Sequence, residues 1–400
     1  MKKPTFFELL KTASYIGVIG YGGPANLALM KKTFVDEKEW ISEKEFMNAL
    51  SLAQIIPGST GISVMGYVAF KIHKLWGGIL ASLLFILPAT VMMTILTWAY
   101  FTFGNLSFVK TLFAGLGALV VALLVNATLM IGKSVFKKIT ISSWKGLVIT
   151  SAVFIGIFFL KINIIWLILL SGILGFIFFY FTREFEDEKE KKREALLTEP
   201  DVSKFKALSV KDFIPVILVV LIFTIGLLIP YISDLITTFF GIGALAFGGG
   251  FTAIPLIQHQ VVDGHGWLTM KQFVDAIAMG QITPGPVLIT ATFVGYHVAA
   301  IWGALFATLA IFAPSLTAMI ALAGIHDKIQ NFKIAKVVVK GILSGFIGLL
   351  VAVTLKFASN SLISWQAWLI FALAIFWLMI LKKNSVWAIL GTIALSLIIF

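Results

Sequence analysis

Two stretches of this chain carry the same interruption. "IGYGGP" at 19–24 answers "LAFGGG" at 245–250, and "AQIIPGSTG" at 53–61 answers "GQITPGPVL" at 280–288. Trp40 pairs with Trp267, Phe46 with Phe273, Gln54 with Gln281, and Pro57-Gly58 with Pro284-Gly285. Further on, Gly66-Tyr67 pairs with Gly295-Tyr296, Trp76-Gly77 with Trp302-Gly303, Pro88 with Pro314, and Lys110 and Gly115 with Lys336 and Gly341. The offset stays between 226 and 229 over more than a hundred residues. A register held that long is a duplicated unit, so the fold has to serve both halves.

Polarity says what kind of unit is repeated. Of 400 residues, 59% are hydrophobic and 12% charged, and the mean hydropathy is +1.00. Soluble domains carry about 25% charged residues, so this is a bilayer protein built from apolar segments of roughly 20 residues. The first half offers segments at 12–30, 46–70, 76–103, 110–132, 143–160 and 162–182. A seventh at 213–231 precedes the second half, with 235–257, 272–300, 301–325, 335–357, 365–381 and 384–400. The expected fold is an all-α polytopic membrane protein of about 13 hydrophobic segments, in two inverted repeats with broken or re-entrant helices. The expected division is 1–182, a membrane repeat; 183–211, a charged cytoplasmic linker; 212–232, a connecting transmembrane helix; and 233–400, the second repeat.

Inversion follows from parity. Seven crossings separate each residue from its partner if every segment spans, and five do if the first two segments of each half are re-entrant. Both numbers are odd. The lysines and arginines support that frame. Strict alternation puts 23 of them on the side of the linker and seven opposite, with Lys340 left in the membrane; re-entrant opening segments sharpen this to 26 against four. Basic loops face the cytoplasm, so the N-terminus and linker belong there, in a multi-pass protein of the plasma membrane. The same rule accounts for the net charge of +12 without nucleic acid. The basic start leads into "FFELLKTASYIG" with no small-residue cleavage site and is not read as a signal peptide. The chain has no cysteine, which excludes disulfides and thiolate metal sites.

The interruptions point to a site. Phe46 to Ile56 and Ser59 to Phe70 each make a helix of about 17 Å, half a bilayer. Pro57 removes a backbone donor and Gly58 permits conformations that other residues resist. Unpaired backbone groups at that depth are tolerated only within protein or beside a polar cavity. The helix that starts at each break turns its free N–H groups and positive dipole end toward that cavity, which suits an anion. Gly22, Gly23 and Pro24, with Gly248, Gly249 and Gly250, break the preceding segments in the same way. Ser59, Thr60 and Ser63 add hydroxyls in the first half, as Thr283 and Thr290 do in the second, and Gln54 and Gln281 add amides. Pro284, Gly285 and Pro286 complete the second break.

Other polar residues are read more plainly. Asp275, opposite Asn48, is an intramembrane carboxylate suited to proton relay, or one that meets water near a hairpin base; the second is favoured. Lys340 could stand near an anion path, but snorkelling to the cytoplasmic surface is the simpler account. Glu8 and Asp234 cap or solvate helix starts. His259, His265, His297 and His326 lack metal-site spacing, so no metal or cofactor is called for.

These motifs resemble the chromate transporter family in its long, two-domain form. The resemblance rests on "YGGP", "QIIPGS", "FGGG" and "QITPGP" and extends over nearly the whole chain. It implies a duplicated, oppositely oriented membrane unit that exports chromate, with sulfate as its structural mimic. The chain departs at Ser59, where the pattern usually has a second proline, and at Tyr21, where it usually has phenylalanine. The leading expectation is a secondary transporter of a tetrahedral oxyanion, chromate or sulfate, with the lipid bilayer as its other partner and a homodimer left open. A passive anion channel comes second. An intramembrane enzyme comes third, because no cysteine, clustered histidine pair or paired intramembrane aspartate offers a catalytic set. No G-x-x-x-x-G-K-[ST] stretch provides for ATP.

Overall fold

The computed structural model describes residues 3–136, 141–180, 214–323 and 333–400. The charged linker 183–211, His326 and Lys328 lie outside the described residues. Those described form fifteen α-helices and no strand. Four helical stretches, Thr60–Phe103, Ser107–Val135, Val287–Leu322 and Ile334–Ser361, are long and apolar enough to cross a membrane by length and composition. Five shorter apolar helices of 10–17 residues accompany them.

The first half begins with α1 (Phe6–Ile19), capped by Thr5, whose Oγ1 accepts the Glu8 N–H at 3.2 Å. A break at Gly20–Gly22 leads to α2 (Gly23–Lys31) and a π turn, Lys32–Glu37. Then come α3 (Glu43–Ala53), α4 (Thr60–Phe103), α5 (Ser107–Val135), α6 (Ile141–Phe158) and α7 (Ile164–Phe179). α8 (Ile214–Leu227) connects to α9 (Pro230–Leu245), and a short 3₁₀ turn leads into α10 (Ala253–Gln258) and a second π turn, His259–Gly264. α11 (Met270–Ile282), α12 (Thr290–Leu322), α13 (Lys333–Ser361), α14 (Trp365–Ile375) and α15 (Ser385–Ile399) complete the chain.

Local chemistry explains where the elements start. Ser42 and Glu45 form a reciprocal capping box at the head of α3, and Thr269 and Gln272 form one at the head of α11. Asn163 caps α7 by accepting from the Ile165 N–H at 2.9 Å, and Asn384 caps α15 by accepting from the Val386 N–H at 3.0 Å.

α4 is not one rod. His73 and Lys74 leave helical geometry, Lys74 with φ of 52°, and the chain doubles back; Ala299 and Ala300 do the same in α12, Ala300 with φ of 47°. Each therefore consists of a short arm (60–72, 290–298) folded against a long one (75–103, 301–322). Small residues permit the close return: a Cβ on Gly78 would lie 3.3 Å from the Gly66 carbonyl oxygen, and one on Gly303 would lie 2.0 Å from that of Gly295.

Contacts at the ends give the direction of each piece. Lys38 pairs with Glu8 at 2.9 Å, and the His73 ring meets the Pro4 carbonyl at 3.0 Å. Thus Pro4, Glu8, Lys38 and His73 share one end, and α1–α2 and α3 with its short arm each leave that end and return to it. In the second half, His265 lies 3.0 Å from Thr238 Oγ1 and stacks on Trp267. The long arms run antiparallel. Gly78 near the start of one meets Ile320 near the end of the other, and Phe101 near the end of the first stacks on His297 just before the second begins.

Backbones approach closely where the long arms meet the opening helices. A Cβ on Gly17 would lie 2.2 Å from the Phe85 carbonyl oxygen, and one on Gly243 would lie 2.2 Å from that of Ile311. Outside this centre the halves exchange partners: α5 packs against α14 and α15, while α13 packs against α6 and α7.

Candidate functional site

The interruptions meet where the halves cross. The Gly58 N–H donates to the Ala246 carbonyl at 2.7 Å, and the Gly285 N–H donates to the Gly20 carbonyl at 2.8 Å. Tyr21 and Gly285 form an isolated parallel bridge. Each Pro-Gly break is thus docked on the opening break of the other half. Gly58 has φ of 102° and Gly285 has φ of 111°, a region that side-chain-bearing residues rarely enter. Behind them, a Cβ on Gly58 would lie 2.5 Å from Ser315 Cβ, and one on Gly285 would lie 3.0 Å from Ala89 Cβ. Ser315 and Ala89 each follow the proline of a long arm, Pro314 and Pro88.

This geometry sorts the expected donors. The Gly58 and Gly285 amides are not free for a ligand, because each already serves the opposite half. The amides of Thr60 and Gly61 are at the N-terminus of the short arm and have no intrahelical acceptor. Ser59, their N-cap, is buried and makes no side-chain capping bond. The second short arm starts differently, through a 3₁₀ turn Val287–Ile289 after Pro286. Thr283 Oγ1 donates to the Gly280 carbonyl at 3.2 Å and Thr290 Oγ1 to the Val287 carbonyl at 2.9 Å. Both hydroxyl protons are therefore committed to backbone, since a hydroxyl has a single proton to donate.

The glutamines also part company. Gln54 is exposed at the end of α3, whereas the Gln281 Nε2 is buried with no hydrogen-bond partner. Gly22 and Gly249, with φ of 75° and 106°, have nothing within 4 Å of the place a Cβ would occupy, so open space adjoins both opening breaks. Gly248 lies against Leu343, and Gly250 against Val287. Gly23 and Pro24 begin α2.

Sequence reasoning missed Asn26. It is 2% exposed, its Oδ1 has no partner, and a Cβ on Gly20 would lie 1.6 Å from that oxygen. An asparagine two residues past the "YGGP" break was the available signal. Ser63 Oγ is likewise buried without a partner.

Asp275 corrects an expectation. It does not meet water at a hairpin base: it is 3% exposed and accepts the Tyr100 hydroxyl at 2.7 Å. Lys340 is not among the breaks; its Nζ stands 4.7 Å from the Phe179 ring centroid. Glu8 is exposed in the first turn of α1, where Thr5 is the cap, and pairs with Lys38. A small cleft opens beside Gln258, His259, Asp263 and Lys356, but an ion pair at 3.0 Å between Asp263 and Lys356 occupies that surface. The breaks, with Gln281 Nε2 and Asn26 Oδ1 buried and unpartnered beside them, define the candidate site better than this cleft does.

The described residues are all-helical, with helices long and apolar enough to cross a membrane and with backbone interruptions where they meet, as a helical membrane protein requires. The chain belongs to the chromate transporter family, whose model matches residues 7–176 and 233–397. It is 33% identical to an uncharacterized transporter of Methanocaldococcus jannaschii, over 99% of this chain and 95% of that one. It is 28% identical to a chromate transport protein of Cupriavidus metallidurans, over 95% of this chain and 90% of the relative. A probable chromate transport protein of Synechococcus elongatus is 31% identical over 75% of this chain and 71% of its own length. No solved structure matches the chain. Members of the family are ion transporters and not enzymes.

Proposed function

We propose that this chain is a secondary transporter of a tetrahedral oxyanion, chromate with sulfate as its mimic, built as two inverted repeats around one central site. The observation that carries this reading is the reciprocal docking of breaks, Gly58 on Ala246 and Gly285 on Gly20. In this reading the anion sits at the crossing, near mid-membrane. The amides of Gly22 and Gly23, Thr60 and Gly61, and Gly249 and Gly250 face it, together with Ser59 and the Gln281 amide. No lysine or arginine lies within these motifs, so recognition rests on dipoles and hydrogen bonds, which hold an oxyanion without trapping it. The antiparallel long arms support inversion, as does the return of α2 and of each short arm to the end it came from. The N-terminus and linker are then cytoplasmic and the membrane is the plasma membrane.

Orientation is tested on the cysteine-free chain. Single cysteines at Asp36 and Asp263, both exposed within the π turns, are expected to react with an impermeant thiol reagent from opposite membrane faces. Labelling of both from one face would refute the inverted repeat. Function is tested by flux of labelled chromate and sulfate in proteoliposomes with pH and voltage set independently. Saturable flux, each anion competing with the other, is expected; a purely voltage-driven, non-saturating current would make the protein a channel instead.

A further inference from the structure

The second half buries a carboxylate that the oxyanion site does not use. Asp275 lies in the second turn of α11, and its Oδ2 receives the Tyr100 hydroxyl. Tyr100 comes from the far end of the first half's long arm. Its ring packs against Phe101 and Phe113 at 5.1 Å and against Phe293 at 5.5 Å, so both halves wall the carboxylate in. The corresponding residue in the first half is Asn48, an amide that carries no charge at any pH.

Little around Asp275 compensates its charge. Lys271 lies one turn earlier on α11. Among the elements packed on α11, α4 contributes Tyr100, and α12 contributes His297, stacked on Phe101. α13 contributes Lys356, already paired with Asp263, and Lys336 and Lys340 further along; α5 has Lys110 and Lys133 near its two ends. The turn Val287–Ile289 and α15 carry no titratable side chain. An ionised carboxylate in such surroundings is expensive, and intramembrane carboxylates mark coupling-ion paths.

We propose that Asp275 is a proton site linked to oxyanion binding: it takes up one proton as the anion enters the crossing and releases it as the anion leaves. This rests on the oxyanion reading above. Asp275 and Gln281 are six residues apart on α11, about 9 Å along its axis. At an effective dielectric near 20, a negative charge at that distance lowers the affinity for a dianion by on the order of a hundredfold. Tight binding therefore requires the neutral acid. The step is carboxylate plus H⁺ to carboxylic acid, with no other bond made or broken, and the charge that travels with a dianion falls from two negative to one. Tyr100 serves both forms, since its hydroxyl donates to the carboxylate and accepts from the acid. By reciprocity, the bound anion favours the proton by the same factor.

The test titrates detergent-purified full chain with sulfate, a dianion throughout, from about pH 5 to about pH 9, and with chromate on the alkaline side. Wild type is expected to bind on the order of a hundredfold more weakly at the alkaline end. Asp275→Asn should hold the tight affinity at every pH, and Asp275→Glu should restore the slope. In proteoliposomes containing a pH dye, wild type should carry one proton with each anion and Asp275→Asn none. Should Asp275→Asn fail to fold, Tyr100→Phe keeps the carboxylate but removes its partner and must displace the midpoint of the slope; an unmoved midpoint overturns the proposal. A flat wild-type profile, or a slope that survives Asp275→Asn, also overturns it. Wild type that binds neither anion at any pH refutes the oxyanion reading itself, which is a different result from binding with a flat profile.

Discussion

Gly58→Ala is expected to disable the protein at the level of assembly. The residue sits at φ of 102°, and its new Cβ would lie 2.5 Å from Ser315 Cβ and 3.0 Å from its Oγ. Backbone strain of about 1–3 kcal/mol adds to overpacking of about 1–3 kcal/mol. The total, about 2–6 kcal/mol, is a large fraction of the net stability of many proteins, about 5–15 kcal/mol. The clash also pushes the Gly58 N–H off Ala246, so one of the two bonds that join the breaks is lost with it. Thermal unfolding of the detergent-purified variant should show a large fall in midpoint, with oxyanion binding abolished. Gly58→Ala combined with Ser315→Gly should recover part of the loss, because it removes the contact but not the strain. Gly285→Ala should be milder, since its Cβ would meet only Ala89 Cβ, at 3.0 Å. A Gly58→Ala protein as stable as wild type would show that the breaks do not cross as described.

The second large effect is on binding alone. Gln281→Leu is expected to weaken oxyanion binding tenfold to a hundredfold, as loss of one hydrogen bond to a charged group of roughly 1.5–3 kcal/mol implies. Its thermal stability should stay equal to wild type or rise. The reason is that Gln281 Nε2 is buried without a partner; an unpaired buried amide costs stability, and a leucine of similar size removes that cost. A glutamine that merely tied down unwound backbone would give the opposite pair of results: a less stable protein with unchanged affinity per folded molecule. Gln54→Leu is the internal comparison. Gln54 is exposed, where water competes for its bonds, so its loss should weaken binding by less. Titration of both purified variants separates the cases, and wild-type affinity in Gln281→Leu would remove that residue from the site.

Much of this fold is legible along the chain, because the forces that set it act between near neighbours. Apolar composition requires helices in a bilayer, where every backbone group must be satisfied within its own segment. Pro57-Gly58 and Pro284-Gly285 mark their breaks because proline removes a donor and glycine alone enters positive φ cheaply. Ser42 with Glu45 and Thr269 with Gln272 announce helix starts three residues ahead. The segment boundaries between 70 and 76 and at 300/301 fall on the turns that the structure makes at His73–Lys74 and Ala299–Ala300. The family also follows from motifs in the sequence.

The identity of the free groups at the centre does not follow from sequence. The two Pro-Gly breaks yield a satisfied amide at Gly58, a committed hydroxyl at Thr290 and an unpartnered amide on Gln281. Local pattern treats all three as available donors. Gly58 meets Ala246 from nearly two hundred residues away, and Asp275 meets Tyr100 across the two halves. A hydrogen bond is decided by a few tenths of an ångström and a direction, which depend on how the long arms pack and not on spacing along the chain. The sequence therefore determined the class of protein, its helices and the places where they break. The tertiary structure decided which broken ends are already used and which carboxylate is sealed from water, because only packing brings such distant groups within bonding distance.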